Sequence, residues 1–170
     1  SDLKARNVML KCSGDKRGFI AKVADFGLSV KMDTTETHMS NLFQGTMTHM
    51  APEIMLEGRV SKAADVYAFG ITMWEMFTGG RPFQGTPRAL MGHLITREHQ
   101  RPAFSAATPP DFVALAEACW HPEFEKRPTF EEILARLQAI RAAEAGPTES
   151  MEYVPPPPAA KRNSNDFDND

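Results

Sequence analysis

Three oxygen-bearing side chains near the start of the chain could form one site. Asp2 and Asn7 lie just ahead of a strand candidate at 8–10, and Asp25 directly follows a second at 19–23. Ser13-Gly14-Asp15 between the strands reads as a turn, so a hairpin would carry Asp2, Asn7 and Asp25 to one end. Two oxygen ligands beside substrate phosphates suit Mg²⁺, which keeps several waters and takes few protein ligands. Lys4 could screen a phosphate, and the remaining Asp could accept a proton from a hydroxyl.

Such a hairpin needs support, because two strands alone are marginal in water. The support is a run of helices. Ser61 can cap a helix running to about Thr78, in which Val66, Tyr67, Phe69, Ile71, Met73, Trp74, Met76 and Phe77 cover nearly every face. A helix apolar all round is a buried one. Thr86 with Pro87 opens a helix to about Thr96, and Thr108-Pro109-Pro110-Asp111 opens another through Cys119. Thr129 and Glu132 form a capping box, with Phe130, Ile133, Leu134, Leu137 and Ile140 on one stripe behind it. Residues 50–142 therefore read as mostly helical around one central buried helix. The stretch 29–42 has no clear periodicity, and an irregular segment of that length is usually functional or disordered.

Composition bounds the rest. The chain has 170 residues, 42% apolar and 24% charged, enough for one domain with a core. A net charge of −3 gives no global field that would draw it to nucleic acid. Cys12 and Cys119 supply neither a disulfide framework nor zinc spacing, which fits a reducing compartment. The apolar run at 66–78 is interrupted by Glu75 and is too short to cross a bilayer, so no direct membrane contact is expected. The start at Ser1-Asp2-Leu3-Lys4 lacks an apolar signal region and reads as a chain beginning mid-structure. Residues 143–170, with Pro155 to Pro158 and an acidic end, read as a disordered tail. Pro155 and Pro158 formally satisfy a P-x-x-P ligand for a binding partner, but no flanking Arg accompanies them.

Five motifs in order carry a family resemblance. Asp2-Leu3-Lys4-Ala5-Arg6-Asn7 resembles the D-L-x-x-x-N part of the catalytic loop of eukaryotic protein kinases. Asp25-Phe26-Gly27 matches D-F-G, and Ala51-Pro52-Glu53 matches A-P-E. Asp65-Val66-Tyr67-Ala68-Phe69-Gly70 resembles the start of the central kinase helix, and 120–128 resembles the closing W…R-P signature. The resemblance covers residues 1–142. It implies an α+β, mainly helical fold: a kinase C-terminal lobe with a short β-hairpin and an activation segment, and no N-lobe within the sequence.

The same resemblance implies roles. Asp2 would be the catalytic base, Lys4 would neutralise the transferring phosphoryl group, and Asn7 and Asp25 would hold Mg²⁺. Met9 lies where the family places an apolar side chain under the adenine of ATP, a role compatible with simple core filling. Thr46 resembles the residue that joins Asp2 and Lys4 in Ser/Thr kinases. Glu53 and Arg127 resemble a buried ion pair, and Asp65 would anchor the catalytic loop or simply favour its helix dipole. Lys4 and Gly45-Thr46 look like Ser/Thr kinases, whereas Ala5-Arg6-Asn7, Trp74-Glu75 and Cys119-Trp120 look like tyrosine kinases. That mixture resembles the tyrosine-kinase-like group, whose members mostly phosphorylate Ser/Thr in protein substrates.

Two positions depart from the family. Ser1 replaces the Arg that normally reads an activation-loop phosphate, although Thr34, Thr35, Thr37 and Ser40 stand in that segment. His49 replaces an aromatic residue where substrate is received, which puts peptide preference in question. The expected function is transfer of the ATP γ-phosphoryl group to Ser/Thr hydroxyls, in the cytoplasm or on the cytosolic side of a receptor. The chain alone, with half a cleft, is expected to be inactive. A noncatalytic scaffold and a tyrosine kinase are the alternatives.

Overall fold

The computed structural model describes residues 2–14, 17–27 and 46–144. Strands β1 (Val8–Cys12) and β2 (Phe19–Val23) pair antiparallel, with Val8 opposite Val23 and Cys12 opposite Phe19. Directly opposed residues share a face of the pleat. Val8, Leu10, Ala21 and Val23 therefore lie on one side of the hairpin, and Met9 and Lys22 on the other. The Ser13 N–H donates to the Gly18 carbonyl at 3.0 Å, closing the hairpin end, and Gly18 takes the left-handed φ of 73° that this turn demands. Asp15 lies outside the described residues.

Among the described residues five α-helices follow: α1 (Pro52–Glu57), α2 (Lys62–Thr78), α3 (Arg88–Thr96), α4 (Pro110–Cys119) and α5 (Phe130–Glu144). α2 is the hub. Ser61 caps it, its Oγ accepting from the Ala64 N–H at 3.2 Å. Its Tyr67, Ile71 and Met73 are fully buried with Ile95 of α3, Leu115 and Cys119 of α4, and Ile133 of α5. Burying each large side chain contributes roughly 1.5–3 kcal/mol. α2 meets α4 at Gly70, where an added Cβ would stand 2.9 Å from the Cys119 Cβ and 3.0 Å from the Ala116 carbonyl. Only glycine permits that approach.

The sequence reading needs four corrections here. α1 was not expected as a helix; Pro52 at its first position and Gly58 at φ 65° confine it to six residues. Thr86 and Thr108 do not cap α3 and α4. In both, an extended proline (Pro87, Pro109) occupies the cap position and the helix begins one residue later. Thr108 is instead buried in a turn, its N–H donating to Ser105. α2 is not apolar-buried all round, because Met76 and Phe77 at its last turn are 57% and 46% exposed. α5 also runs to Glu144, two residues into the stretch read as tail. The capping box at its start is present: the Thr129 N–H donates to Glu132 at 2.7 Å and the Glu132 N–H to the Thr129 hydroxyl at 3.2 Å. The remaining tail at 145–170 lies outside the described residues, as do Ser1, Gly45 and the 29–42 segment with Thr34, Thr35, Thr37 and Ser40.

Candidate active site

The loop before β1 is shaped by its own side chains. A single 3-10 turn at Ala5–Asn7 leads into the strand. The Asn7 side-chain N–H donates to the Asp2 carbonyl at 2.9 Å and faces the Asp2 carboxylate at 3.4 Å. The Lys4 ammonium reaches back to the Asp2 carboxylate at 2.5 Å. The same Nζ donates to the Thr46 hydroxyl at 2.7 Å, forty-two positions away in sequence. The Thr46 N–H then donates to the other Asp2 oxygen at 3.0 Å. Asp2, Lys4 and Thr46 thus form one closed, half-buried cluster.

This cluster sets the charge state of Asp2. Burial pushes its carboxyl up, but the hydrogen bonds from Lys4 and Thr46, with the Lys4 charge, together outweigh it and hold the pKa below the usual carboxylate value. The group is a carboxylate at neutral pH, an acceptor aimed across a loop that also carries a cation.

Asp25 stands at the same end of the hairpin as Asn7. The Ala24 N–H donates to the Asn7 carbonyl at 2.8 Å, directly beyond the Val8–Val23 pair. Asp25 adopts a left-handed φ of 59°, unusual for a residue with a side chain, and its Oδ1 accepts from the Gly27 N–H at 3.3 Å. Phe26 is 67% exposed. The amide nitrogen of Asn7 is spent on Asp2, so its Oδ1 is the atom suited to a cation. The Asp25 carboxylate follows the same strand pair, one residue beyond Ala24. Among the described residues no group of three His, Cys, Asp or Glu forms a metal site. A carboxylate oxygen and an amide oxygen are by their chemistry suited to a hard cation that brings its own waters and substrate oxygens, as Mg²⁺ does.

Asp2, Asp25 and Asp65 also line a mostly apolar groove of about 790 Å³, which runs between the Val8/Ala21/Val23 face of the hairpin and Phe69, Met76 and Phe130. Met9 is not in that groove. It is 59% exposed on the opposite face of the hairpin.

Glu53, at the start of α1, meets Arg127 in a two-pronged buried pair at 2.7 and 2.8 Å. The Arg127 guanidinium also donates to the carbonyls of His121 and Ala63, at 2.8 and 2.9 Å. The pair expected from the sequence is therefore present, and it ties the segment after Thr46 to the helical core.

One functional neighbour escaped the sequence reading. Glu75 of α2 accepts from the Ala5 N–H at 3.2 Å and meets His49 Nε2 at 2.9 Å with the same oxygen, Oε2. In sequence Glu75 shows only as an acid interrupting the longest apolar run and as part of the Trp74-Glu75 motif, and neither points to Ala5 or His49.

Comparison with known proteins agrees with the geometry. The model of the protein tyrosine and serine/threonine kinase family matches residues 1–137. The chain belongs to that family. It is 35% identical over 137 residues to the Arabidopsis thaliana serine/threonine/tyrosine-protein kinase HT1, covering 81% of this chain and 33% of HT1. It is 34% identical over 139 residues to a Dictyostelium discoideum protein described as a LIM domain-containing serine/threonine-protein kinase, covering 82% of this chain and 20% of that one. A protein of Acanthamoeba polyphaga mimivirus described as a serine/threonine-protein kinase/receptor is 35% identical over 145 residues, 82% of this chain and 8% of its own length. The chain thus spans a third or less of these relatives. The helix-rich architecture with one two-stranded sheet is that of part of a kinase domain. The family works with ATP and Mg²⁺. No helix among the described residues is long and apolar enough to cross a membrane.

Proposed function

We propose that the chain is the C-terminal lobe of a protein kinase of the tyrosine-kinase-like group, and that the intact kinase transfers the ATP γ-phosphoryl group to Ser/Thr hydroxyls of proteins. The observation that carries this reading is the Lys4 ammonium bonded at once to Asp2 and to the Thr46 hydroxyl. Asp2 would orient the substrate hydroxyl and accept its proton. Held by Lys4 and the Thr46 N–H, the carboxylate would be fixed in place to receive that proton as transfer proceeds. Lys4, held beside that carboxylate, would meet the charge on the transferring group. Thr46 would hold Lys4 and Asp2 at the spacing that lets one hydroxyl enter between the loop and the 46–49 turn.

Asn7 Oδ1 and the Asp25 carboxylate would hold Mg²⁺, which when bound neutralises and orients the phosphate oxygens. Met9, on the hairpin face turned away from the groove, would lie under the adenine. Asp65, beside Asp2 and Leu3 in the groove lining, would steady the catalytic loop from below. Cytoplasmic or receptor-linked placement follows from the ATP requirement.

The test is a peptide panel with the intact kinase and Mg²⁺–ATP. Label is expected on Ser and Thr peptides and not on their Tyr counterparts. Label confined to Tyr would select the tyrosine-kinase alternative, and no label or nucleotide binding would select the scaffold.

A further inference from the structure

His49 is only 4% exposed at its side chain, yet it carries two polar contacts. Its Nε2 lies 2.9 Å from Glu75 Oε2, and its Nδ1 lies 2.9 Å from the Thr48 hydroxyl. A carboxylate can only accept, so Nε2 carries a proton and donates to Glu75. Nδ1 then accepts from the Thr48 hydroxyl in the neutral ring.

These bonds complete a circuit. The Ala5 N–H donates to the same Glu75 oxygen, and Ala5 adjoins Lys4. Lys4 holds Asp2 and Thr46, and the Thr46 N–H holds Asp2. The Thr46 carbonyl accepts from the His49 N–H at 2.9 Å, which returns the circuit to the imidazole. Glu75 sits on α2, the most deeply buried helix, so the circuit fastens two irregular segments to a rigid element.

We propose that His49 is a positioning residue: by holding Glu75, it keeps the Ala5 loop and the 46–49 turn in the register at which Lys4 spans Asp2 and Thr46. This rests on the kinase reading given above. The imidazole touches none of the reacting groups and acts through Glu75 and the backbone.

Three charged side chains face the ring: Glu75 from α2, and Asp2 and Lys4 from the catalytic loop. Burial pushes its pKa down, Glu75 and Asp2 push it up, and Lys4 pushes it down; the balance falls below the ordinary value of 6.5. The neutral ring at pH 7 is the one-donor, one-acceptor form that the circuit requires.

The test compares His49→Phe, His49→Gln and Glu75→Ala in the intact kinase, reading turnover and amide hydrogen exchange. Phe fills similar space but has no donor, whereas Gln keeps one. Losing the His49–Glu75 hydrogen bond, through its donor in His49→Phe or its acceptor in Glu75→Ala, is expected to lower kcat roughly tenfold, with KM for ATP within about twofold. Exchange of the amides in 2–7 should rise by a similar factor, roughly tenfold, while 110–119 is unchanged. His49→Gln should restore both readouts to within about threefold of the parent. Parent-like kcat or exchange in His49→Phe, or His49→Gln as impaired as His49→Phe, overturns the proposal. Should His49→Phe not fold, Glu75→Ala against His49→Gln decides the same question. A parent that transfers no phosphate fails the kinase reading, and the exchange comparison still decides whether His49 holds the loop.

Discussion

Among the described residues, two of the carboxylate–cation pairs contrast in their surroundings. Glu53–Arg127 is dry: the arginine side chain is fully buried, the glutamate is 6% exposed, and the spare guanidinium protons are taken by backbone carbonyls. Asp2–Lys4 is half-open, at 11% and 20% exposure, and its cation is shared with Thr46. The first pair saturates its hydrogen-bonding capacity inside the protein. The second stays at the groove, which Asp2 lines. A saturated buried pair can only hold structure, whereas a half-open one can still take a substrate.

Breaking each pair should therefore give opposite signatures. Arg127→Ala strands a buried carboxylate and should cost roughly 3–5 kcal/mol of stability. Lys4→Met should cost clearly less stability than Arg127→Ala, because Asp2 keeps the Thr46 N–H and some contact with solvent, while still impairing transfer. Thermal unfolding of both variants checks the contrast, and equal losses would erase it.

The core that the dry pair fastens can be probed at its tightest contact. Gly70→Ala forces a Cβ against Cys119 and the Ala116 carbonyl. A loss of roughly 1–3 kcal/mol is expected in denaturant unfolding, with the activity per folded molecule retained.

The smallest effect is a pH dependence confined to the half-open region. The folded-state pKa of His49 is lowered by burial, so the unfolded chain takes up that proton first as pH falls below about 6.5. Stability contributed by the neutral ring is present above that value and lost as pH falls through the folded pKa. Asp2, raised by burial but lowered further by Lys4 and Thr46, contributes stability above 3.8 that is lost only as pH falls through its lower folded value. Urea midpoints at pH 7 and pH 5 should thus fall in the parent and stay flatter in His49→Phe.

How far the sequence could be read follows from the range of each interaction. The hairpin is legible because two short apolar runs flanking turn residues are a local signal. So is the Ser61 cap, and so is the Thr129–Glu132 box. The helix starts at 88 and 110 were misread by one residue because tandem turn and proline residues offer competing caps. α1 was missed because six residues carry too little periodicity. The Lys4–Thr46 and Glu53–Arg127 contacts span long sequence separations, and only the family resemblance pointed to them. Glu75 stands out in sequence only as a break in an apolar run and as half of the Trp74-Glu75 motif. Its purpose depends on Ala5 and His49 arriving from two other segments, and no local pattern encodes that.

The most direct measurement is turnover of the intact kinase with Asp2→Asn. The substitution keeps the shape of the side chain and removes the proton acceptor. A fall in kcat of about 10²–10⁴-fold, with KM for ATP little changed, is the predicted result. Turnover within a few-fold of the parent would contradict the assignment of Asp2, and with it the reading of the Lys4 and Thr46 cluster as the seat of phosphoryl transfer.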